Sequence, residues 1–598
     1  MSSEVVFAFL IIIISSNLIE PSYSQTTSEV ILEAGVLGQI QGKISTTIGK
    51  SPRPYAQFFG IPYAKQTRFR PSELLQESLN NTGSPFNATQ FGPECPQPQT
   101  TGSENCLFLN IFSPQIDQNT AVKYPILVFV HGAGFVSGNA NMYDGARLLN
   151  KDIVLITFNY RLGVFGSYNL ETPTAPGNAA LYDVLSVLNW VKIFAQYFGG
   201  DPSQVTLAGQ SSGAATVSHM VMSPLSKGLF HRAIASSGSA IDIWATSANP
   251  LSASLQVAVY AGCLNPENTS PNKTQVMTCM LNKTLSELIL AQNTFQFLDM
   301  KSGSIGFGAI TPSVQRFTFP EIETIVPQHP KAVLESENQN NVSLMMGTTR
   351  DDGGFALRLV REGYILANNL ANDTTFMKDR LVPTIFNAIG ISDPANTIAN
   401  TFKDIYVEKE AGQSGNFSHM VPSLIDMLGV LFFKSASYQS VQQHSKITKD
   451  TYFYSFDYEG QYTRHPDNAG FPGGVAHADD LQYLFQLPGV LNEEEQELSD
   501  IMVDYWTNFV HTGNPSKYPS ESANTVPTWP EFGTLTNEYL LISNAEIKQS
   551  SNYPASWVIA NKEEIRVCPN RSDSNMFNPV LIIFQLLLIF TYAPTIKY

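Results

Sequence analysis

The decapeptide Val205-Thr206-Leu207-Ala208-Gly209-Gln210-Ser211-Ser212-Gly213-Ala214 constrains this chain more than any other segment. Val205 to Leu207 is a short apolar run of strand character, and Ala214 to Met222 continues as an amphipathic helix. A Gly-x-Ser-x-Gly pattern therefore falls at a strand-to-helix junction, where a tight turn pushes the Ser211 hydroxyl into the open. Gly209 and Gly213 lie two residues either side of the serine, where side chains collide when the backbone reverses so sharply. The pattern alone is weak in a chain with 40 glycines. The flanking strand and helix give it meaning.

Other segments repeat the alternation. Ile126 to Val130 and Ile153 to Phe158 are β-rich apolar runs too short for helices, each followed by glycine-rich turns, and read as strands buried on both faces. Strands alternating with helices predict an α/β fold whose central, mostly parallel sheet is flanked by helices. No internal repeat, low-complexity tract or Pro/Gly-rich linker breaks residues 25–567, so the 598-residue chain is expected to carry one catalytic-size domain there. With 43% hydrophobic and 14% charged residues the chain is globular. A net charge of −16 has the wrong sign for a nucleic-acid partner.

Both ends read as processing signals. Val5 to Ile14 is an apolar run followed by Ser22-Tyr23-Ser24, the layout of a signal peptide over residues 1–24 cleaved near Gln25. Residues 568–598 carry Ser572, Asp573 and Ser574, a short polar spacer, then the apolar stretch Val580 to Ala593, the layout of a glycolipid (GPI) anchor signal. A membrane-spanning helix from Met576 onward and plain secretion are the alternatives. Nine Asn-x-Ser/Thr sequons agree with export as a glycoprotein: Asn80, Asn87, Asn268, Asn272, Asn282, Asn341, Asn372, Asn416 and Asn570. Cys95 with Cys106 and Cys263 with Cys279 are close enough in sequence for local disulfide loops, leaving Cys568 free or bridging two copies into a disulfide-linked homodimer.

A serine nucleophile needs a base, an acid that orients the base, and donors for the oxyanion. His131-Gly132-Ala133-Gly134-Phe135 closes the first strand and is of the type that lends backbone N–H groups to an oxyanion. Downstream come Gly347-Thr348-Thr349-Arg350-Asp351-Asp352-Gly353 and Gly474-Val475-Ala476-His477-Ala478-Asp479-Asp480. Taking Asp352 and His477 gives the order Ser, Asp, His of an α/β hydrolase, with Asp479 and Asp480 as alternative orienting acids. The other histidines lack metal-ligand spacing, no metal or cofactor is implied, and Gly303-Ser304-Ile305-Gly306-Phe307-Gly308 reads as a loop.

With these motifs the chain resembles the type-B carboxylesterase and cholinesterase-like family from about Gly35 to Gly533. The likeness runs through Phe59-Gly60-Ile61-Pro62-Tyr63-Ala64, Ser103-Glu104-Asn105-Cys106-Leu107-Phe108-Leu109-Asn110, Asn159-Tyr160-Arg161-Leu162-Gly163, Phe198-Gly199-Gly200-Asp201-Pro202 and Tyr505-Trp506-Thr507-Asn508-Phe509. The resemblance implies an α/β-hydrolase fold, Ser211 as nucleophile, His477 as base, and Asp352 where the family usually has Glu. It places Ala133, Gly134 and Ser212 at the oxyanion hole, pairs Cys95 with Cys106 and Cys263 with Cys279, and makes Arg68 and Glu104 a structural ion pair. Gln210 replaces the glutamate common before the nucleophile, and the Cys95–Cys106 loop lacks the tryptophan with which cholinesterases hold a quaternary ammonium. The expected substrate is a neutral small-molecule or lipid-like carboxylic ester. The alternatives are a cholinesterase-like activity and a catalytically silent adhesion protein of the same fold.

Overall fold

The computed structural model describes residues 29–553, apart from 81–82, 99–101, 118–121, 309, 392, 408, 466–473, 518–525, 534–535, 545 and 552. The expected leader, Asn570, Cys568 and the apolar tail lie outside the described residues.

One large sheet organises the chain. Its main strands are β1 (Glu29–Glu33), β2 (Gln39–Thr46), β3 (Pro54–Pro62), β4 (Phe108–Ser113), β5 (Tyr124–Val130), β6 (Val154–Phe158), β7 (Gly200–Gln210), β8 (Arg232–Ser236), β9 (Ser343–Thr349), β10 (Thr451–Phe456), β11 (Tyr539–Ile542) and β12 (Ile547–Ser550), and the two-residue strand Phe86–Asn87 pairs parallel with β2 beside them. They lie side by side in the order β1-β2-β3-β4-β6-β5-β7-β8-β9-β10-β11-β12. From β6 to β11 every pairing is parallel. The strands β1 to β4 pair antiparallel, as do β4 with β6 and β11 with β12. The alternation of strands and helices holds only for the central part, because β1 to β4 follow one another with no crossover helix, and consecutive strands without a crossover pair antiparallel.

The central strands are apolar throughout because both faces are covered. Along β5, Ile126, Val128 and Val130 enter one core and Leu127 and Phe129 the other. Helices α1 (Ala179–Phe194) and α2 (Ser212–Met222) contribute to the first core. Helix α3 (Glu493–Thr512) supplies Leu498, Met502, Trp506 and Phe509 to the second. At about 2–5 kcal/mol for truncating one such residue to alanine, either layer alone commits the strand to this register.

A continuous helical stretch, Phe417–His444, passes the test of length and apolarity for a membrane span, yet 83% of its most apolar window is buried within the protein. It is a core element, interrupted by the π-helical turn Val430–Lys434. Cys95 is bonded to Cys106 and Cys263 to Cys279, both within the chain. Arg68 pairs with Glu104, and its Nη1 donates to the Lys283 carbonyl at 2.7 Å, tying the two disulfide-bonded regions together. Of the sequon asparagines, Asn87, Asn268, Asn272, Asn282, Asn341, Asn372 and Asn416 are exposed, whereas Asn80 is half-buried.

Candidate active site

The chain visits β5, then β6 on one side of it, then β7 on the other, so the strand order reverses at β5. In an open α/β sheet the crevice at the carboxyl ends of such strands is where ligands bind. The loop His131–Phe135 leaves the end of β5 and Ser211 leaves the end of β7, with Val130 and Gly209 paired in register.

Ser211 sits at the turn itself with φ 59° and ψ −126°, a conformation that a residue bearing a side chain occupies only when its surroundings impose it. Its N–H donates to the Ser236 carbonyl at 2.8 Å, and its carbonyl receives the Ala215 N–H at 2.9 Å, starting α2. A Cβ on Gly213 would lie 2.1 Å from the Val130 carbonyl oxygen, so only glycine lets α2 start against β5. Ala133, Gly134 and Phe135 all have positive φ, which turns the loop beneath Ser211. Among the described residues, none of the N–H groups of Ala133, Gly134 and Ser212 donates a hydrogen bond within the protein. His131 is part of the scaffold: its ring stacks on Tyr160, whose hydroxyl donates to the His131 carbonyl, and burial pushes its imidazole down to about 4.

Two loops from the far side of the sheet meet in front of this turn. Asp351 and Ala476 form a parallel bridge, and the Asp351 carboxylate accepts the Val475 N–H at 2.7 Å. That staple sets the next residues face to face, and His477 Nδ1 donates to Asp352 Oδ1 at 2.7 Å. Asp352 is fully buried and also accepts from Thr349 N, Thr349 Oγ1 and Ser237 Oγ, so both carboxylate oxygens are fully used. Asp479 and Asp480, the alternative orienting acids, are engaged elsewhere: Asp479 with the N–H groups of Ala476 and Arg464, Asp480 with the Tyr454 hydroxyl.

The other ring nitrogen, His477 Nε2, faces the Gln210 side-chain nitrogen at 3.2 Å. An amide nitrogen only donates, so Nε2 is the acceptor and Nδ1 carries the proton that Asp352 receives. Both partners select one tautomer, the one whose free lone pair can take a proton from a serine. Among the described residues the Ser211 hydroxyl makes no hydrogen bond to His477, and Gln210 occupies that lone pair in the resting state. The sequence marked Gln210 as a lost negative charge; its contact with a ring 267 positions away was not legible.

Ser211 lines a small cavity whose wall also includes Gly134, Trp244, Phe307, Phe355, Phe432 and Phe433. Phe433 and Phe355 also pack on the His477 ring, with centroids 4.7 and 5.2 Å away. The site is nearly dry: Ser211 is 5% exposed and His477 4%. Aromatic residues scattered from position 244 to 433 converge here, and nothing in their local sequence announces it. Among the described residues there is no cluster of His, Cys, Asp and Glu fit to hold a metal.

Residues 27–557 match the carboxylesterase family model. A juvenile hormone esterase of Tribolium castaneum is 30% identical over 508 residues, covering 81% of this chain and 84% of that protein. An acetylcholinesterase-1 of Trittame loki is 29% identical over 564 residues, 88% of this chain and 95% of its own. Human carboxylesterase 5A is 29% identical over 535 residues, 84% of each chain. Among solved structures, juvenile hormone esterase from Manduca sexta with OTFP covalently attached superposes with a TM-score of 0.72 at 24% identity, covering 89% of this chain and 98% of that one, a likeness of fold. The motif series from Gly35 to Gly533, the α/β-hydrolase sheet and these matches agree, and the chain belongs to the carboxylesterase family, whose activity is carboxylic ester hydrolysis.

Proposed function

We propose that this protein is a serine esterase that hydrolyses neutral carboxylic esters through an acyl-enzyme. The observation that carries the reading is the pair of hydrogen bonds on His477, which leaves Nε2 as acceptor beside the strained Ser211 turn. On substrate entry the Gln210 amide gives way, and Nε2 accepts the Ser211 proton as Oγ attacks the ester carbonyl. The N–H groups of Ala133, Gly134 and Ser212 receive the oxyanion. Collapse expels the alcohol, which takes the proton from His477, and leaves Ser211 acylated. Water then attacks, His477 takes its proton and returns it to Ser211 Oγ, and the acid departs. Asp352 holds the imidazole throughout and stabilises its protonated form.

Neutral substrates are favoured because the residues around the small cavity are uncharged and the residue before the nucleophile is an amide. Hydrolysis of choline esters is the second reading, supported by the Trp244 ring in that wall, which offers a face for a cation. The intact set Ser211, Asp352 and His477 speaks against a silent adhesion role. Seven exposed sequon asparagines and two disulfides support export as a glycoprotein, with residues 1–24 as leader, 25–567 as the catalytic domain and 568–598 as an anchor signal. The test is Ser211→Ala with p-nitrophenyl butyrate: a loss of about a thousandfold or more in kcat supports the reading, and unchanged turnover removes it.

A further inference from the structure

Arg350, Asp351 and Asp352 follow one another at the end of β9, and Arg350 stands between two carboxylates. Its Nε donates to Asp351 Oδ2 at 3.1 Å, and its Nη2 lies 3.0 Å from that oxygen and donates to Glu459 Oε2 at 3.1 Å. Each carboxylate also takes one N–H group from the backbone that leads into His477. Glu459 Oε1 accepts that of Gly474 at 3.3 Å, and Asp351 Oδ2 that of Val475 at 2.7 Å. The Asp351 N–H in turn donates to the Val475 carbonyl at 2.9 Å. Gly474 has a φ of 96°, and a Cβ there would lie 2.6 Å from Asp351 Oδ2, so this segment lies directly against the carboxylate.

The backbone of Arg350 reaches two further parts of the site. Its N–H donates to the Phe456 carbonyl at the end of β10, at 2.9 Å, and its carbonyl accepts from Lys434 Nζ at 2.7 Å. Lys434 is buried and ends the π-helical turn Val430–Lys434, which carries Phe433 onto the His477 ring. Glu459 is held by Asn544, whose side chain accepts the Glu459 N–H and donates to its carbonyl. One residue therefore joins the segment bearing Asp352, the segment bearing His477 and the turn bearing Phe433. A planar guanidinium suits that place, because its fork faces two carboxylates at once, which an ammonium cannot do with the same geometry. Without the cation, Asp351 and Glu459 repel each other, and the buried Asp351 feels this most.

We propose that Arg350 is a positioning residue for ester hydrolysis: with Asp351 and Glu459 it clamps the Gly474–Val475 backbone and so fixes the His477 imidazole relative to Ser211. The proposal rests on the proposed Ser211 chemistry and adds the group that keeps its base in place. Arg350 acts through the backbone of another segment and touches no reacting atom. Its loss is therefore expected in kcat and not in KM, and a displacement of about 1 Å in the base is enough for a fall of about a hundredfold.

The test uses the intact protein with p-nitrophenyl butyrate and three variants. Arg350→Gln leaves the two carboxylates without their cation, and its kcat is expected to fall about a hundredfold with KM within about threefold of the parent. Arg350→Lys restores the charge without the fork and is expected to recover part of the loss, to within about tenfold of the parent. Glu459→Ala removes a largely exposed side chain, frees Gly474 alone, and is expected to lower kcat about tenfold. Titration with a fluorophosphonate counts the competent sites, and proton NMR follows the His477 Nδ1 proton held by Asp352, a signal expected to move or broaden in Arg350→Gln. Parental kcat per titrated site in these variants overturns the clamp. So does a fall that comes only as fewer titrated sites, a rise in KM at parental kcat, or an unmoved Nδ1 signal beside a lowered kcat. If Arg350→Gln does not fold, Arg350→Lys and Glu459→Ala decide by the same readouts. Ser211→Ala separates the two readings: hydrolysis that survives in it removes the proposed chemistry, whereas an inactive Ser211→Ala beside fully active clamp variants removes the clamp alone.

Discussion

Asp352→Asn separates the chemical role of the carboxylate from its structural one. Asp352 accepts four hydrogen bonds: His477 Nδ1–H and Thr349 Oγ1–H on Oδ1, and Ser237 Oγ–H and the Thr349 backbone N–H on Oδ2. An amide has one accepting oxygen and one donating nitrogen, so one pair of donors must lose its acceptor. If the nitrogen faces the Oδ2 side, Ser237 can rotate its hydroxyl to accept, but the Thr349 N–H cannot turn and is left buried and unpaired, costing about 1–3 kcal/mol. If the nitrogen faces the Oδ1 side, the Thr349 hydroxyl rotates to accept and His477 Nδ1 becomes the acceptor. That costs only a shift of the ring proton to Nε2, with the Gln210 amide flipping to present its oxygen. The second arrangement wins, and it removes the lone pair that Ser211 needs. The expected outcome is a fall in kcat of about ten-thousandfold, roughly 5 kcal/mol on the barrier, against a loss of about 1 kcal/mol in unfolding free energy. Steady-state hydrolysis of p-nitrophenyl butyrate and urea unfolding measure the two. A loss of activity below tenfold refutes the assignment of Asp352, and a stability loss matching the activity loss refutes the tautomer argument.

Gly213→Ala forces a Cβ to 2.1 Å from the Val130 carbonyl oxygen and 2.7 Å from that of His131, so β5 and α2 must separate where the proposed oxyanion loop begins. We expect a stability loss of about 1–3 kcal/mol and an activity loss near a hundredfold, read by unfolding and kcat/KM; an active variant of parental stability contradicts the packing at the turn. With matched acetyl esters, a neutral alcohol is expected to give a higher kcat/KM than choline, because steering by the overall negative charge supplies encounter but no contact at the ester. Gln210→Glu narrows that gap and moves the acid limb of the kcat/KM profile upward by about 1 pH unit, since a carboxylate at Nε2 favours the protonated ring; a preference for choline in the parent refutes the first part, and an unmoved acid limb the second. His219 is buried against the Ala245 carbonyl, and burial pushes its imidazole down to about 4. It stays neutral when folded and is protonated when unfolded below about pH 6.5, so its contribution is complete above that pH and is lost toward pH 4, by roughly 3 kcal/mol there. The acid-side slope of stability is expected to be shallower in His219→Gln, and an equal slope refutes the attribution.

What could be read from sequence divides by the range of the interaction that fixes each feature. The Ser211 turn was legible because its strand, glycines and helix follow one another, and the constraint is steric and local. The central strands were legible because β5 and β6 are apolar on both faces, which only a covered sheet permits. The antiparallel half of the sheet was less visible: β1 alternates exposed and buried residues along a short run, which says half-buried strand but not its partner. His477 and Asp352 were found by motif order and family likeness, yet the Asp351–Ala476 bridge that brings them together joins positions 125 apart in the chain, and no local pattern records it. The aromatic cavity was hidden altogether. Phe432 and Phe433 belong to a helix buried on nearly every side, so their apolarity signals burial equally well whether they face core or substrate.

The central claim is that Ser211 is the nucleophile and forms a covalent intermediate. Incubation of the purified protein with a fluorophosphonate, followed by peptide mass spectrometry, tests it directly. One adduct per chain on the peptide containing Ser211, absent in Ser211→Ala and much slowed in His477→Ala, is the predicted result. An adduct on another residue, or no adduct on a protein that still hydrolyses esters, contradicts it.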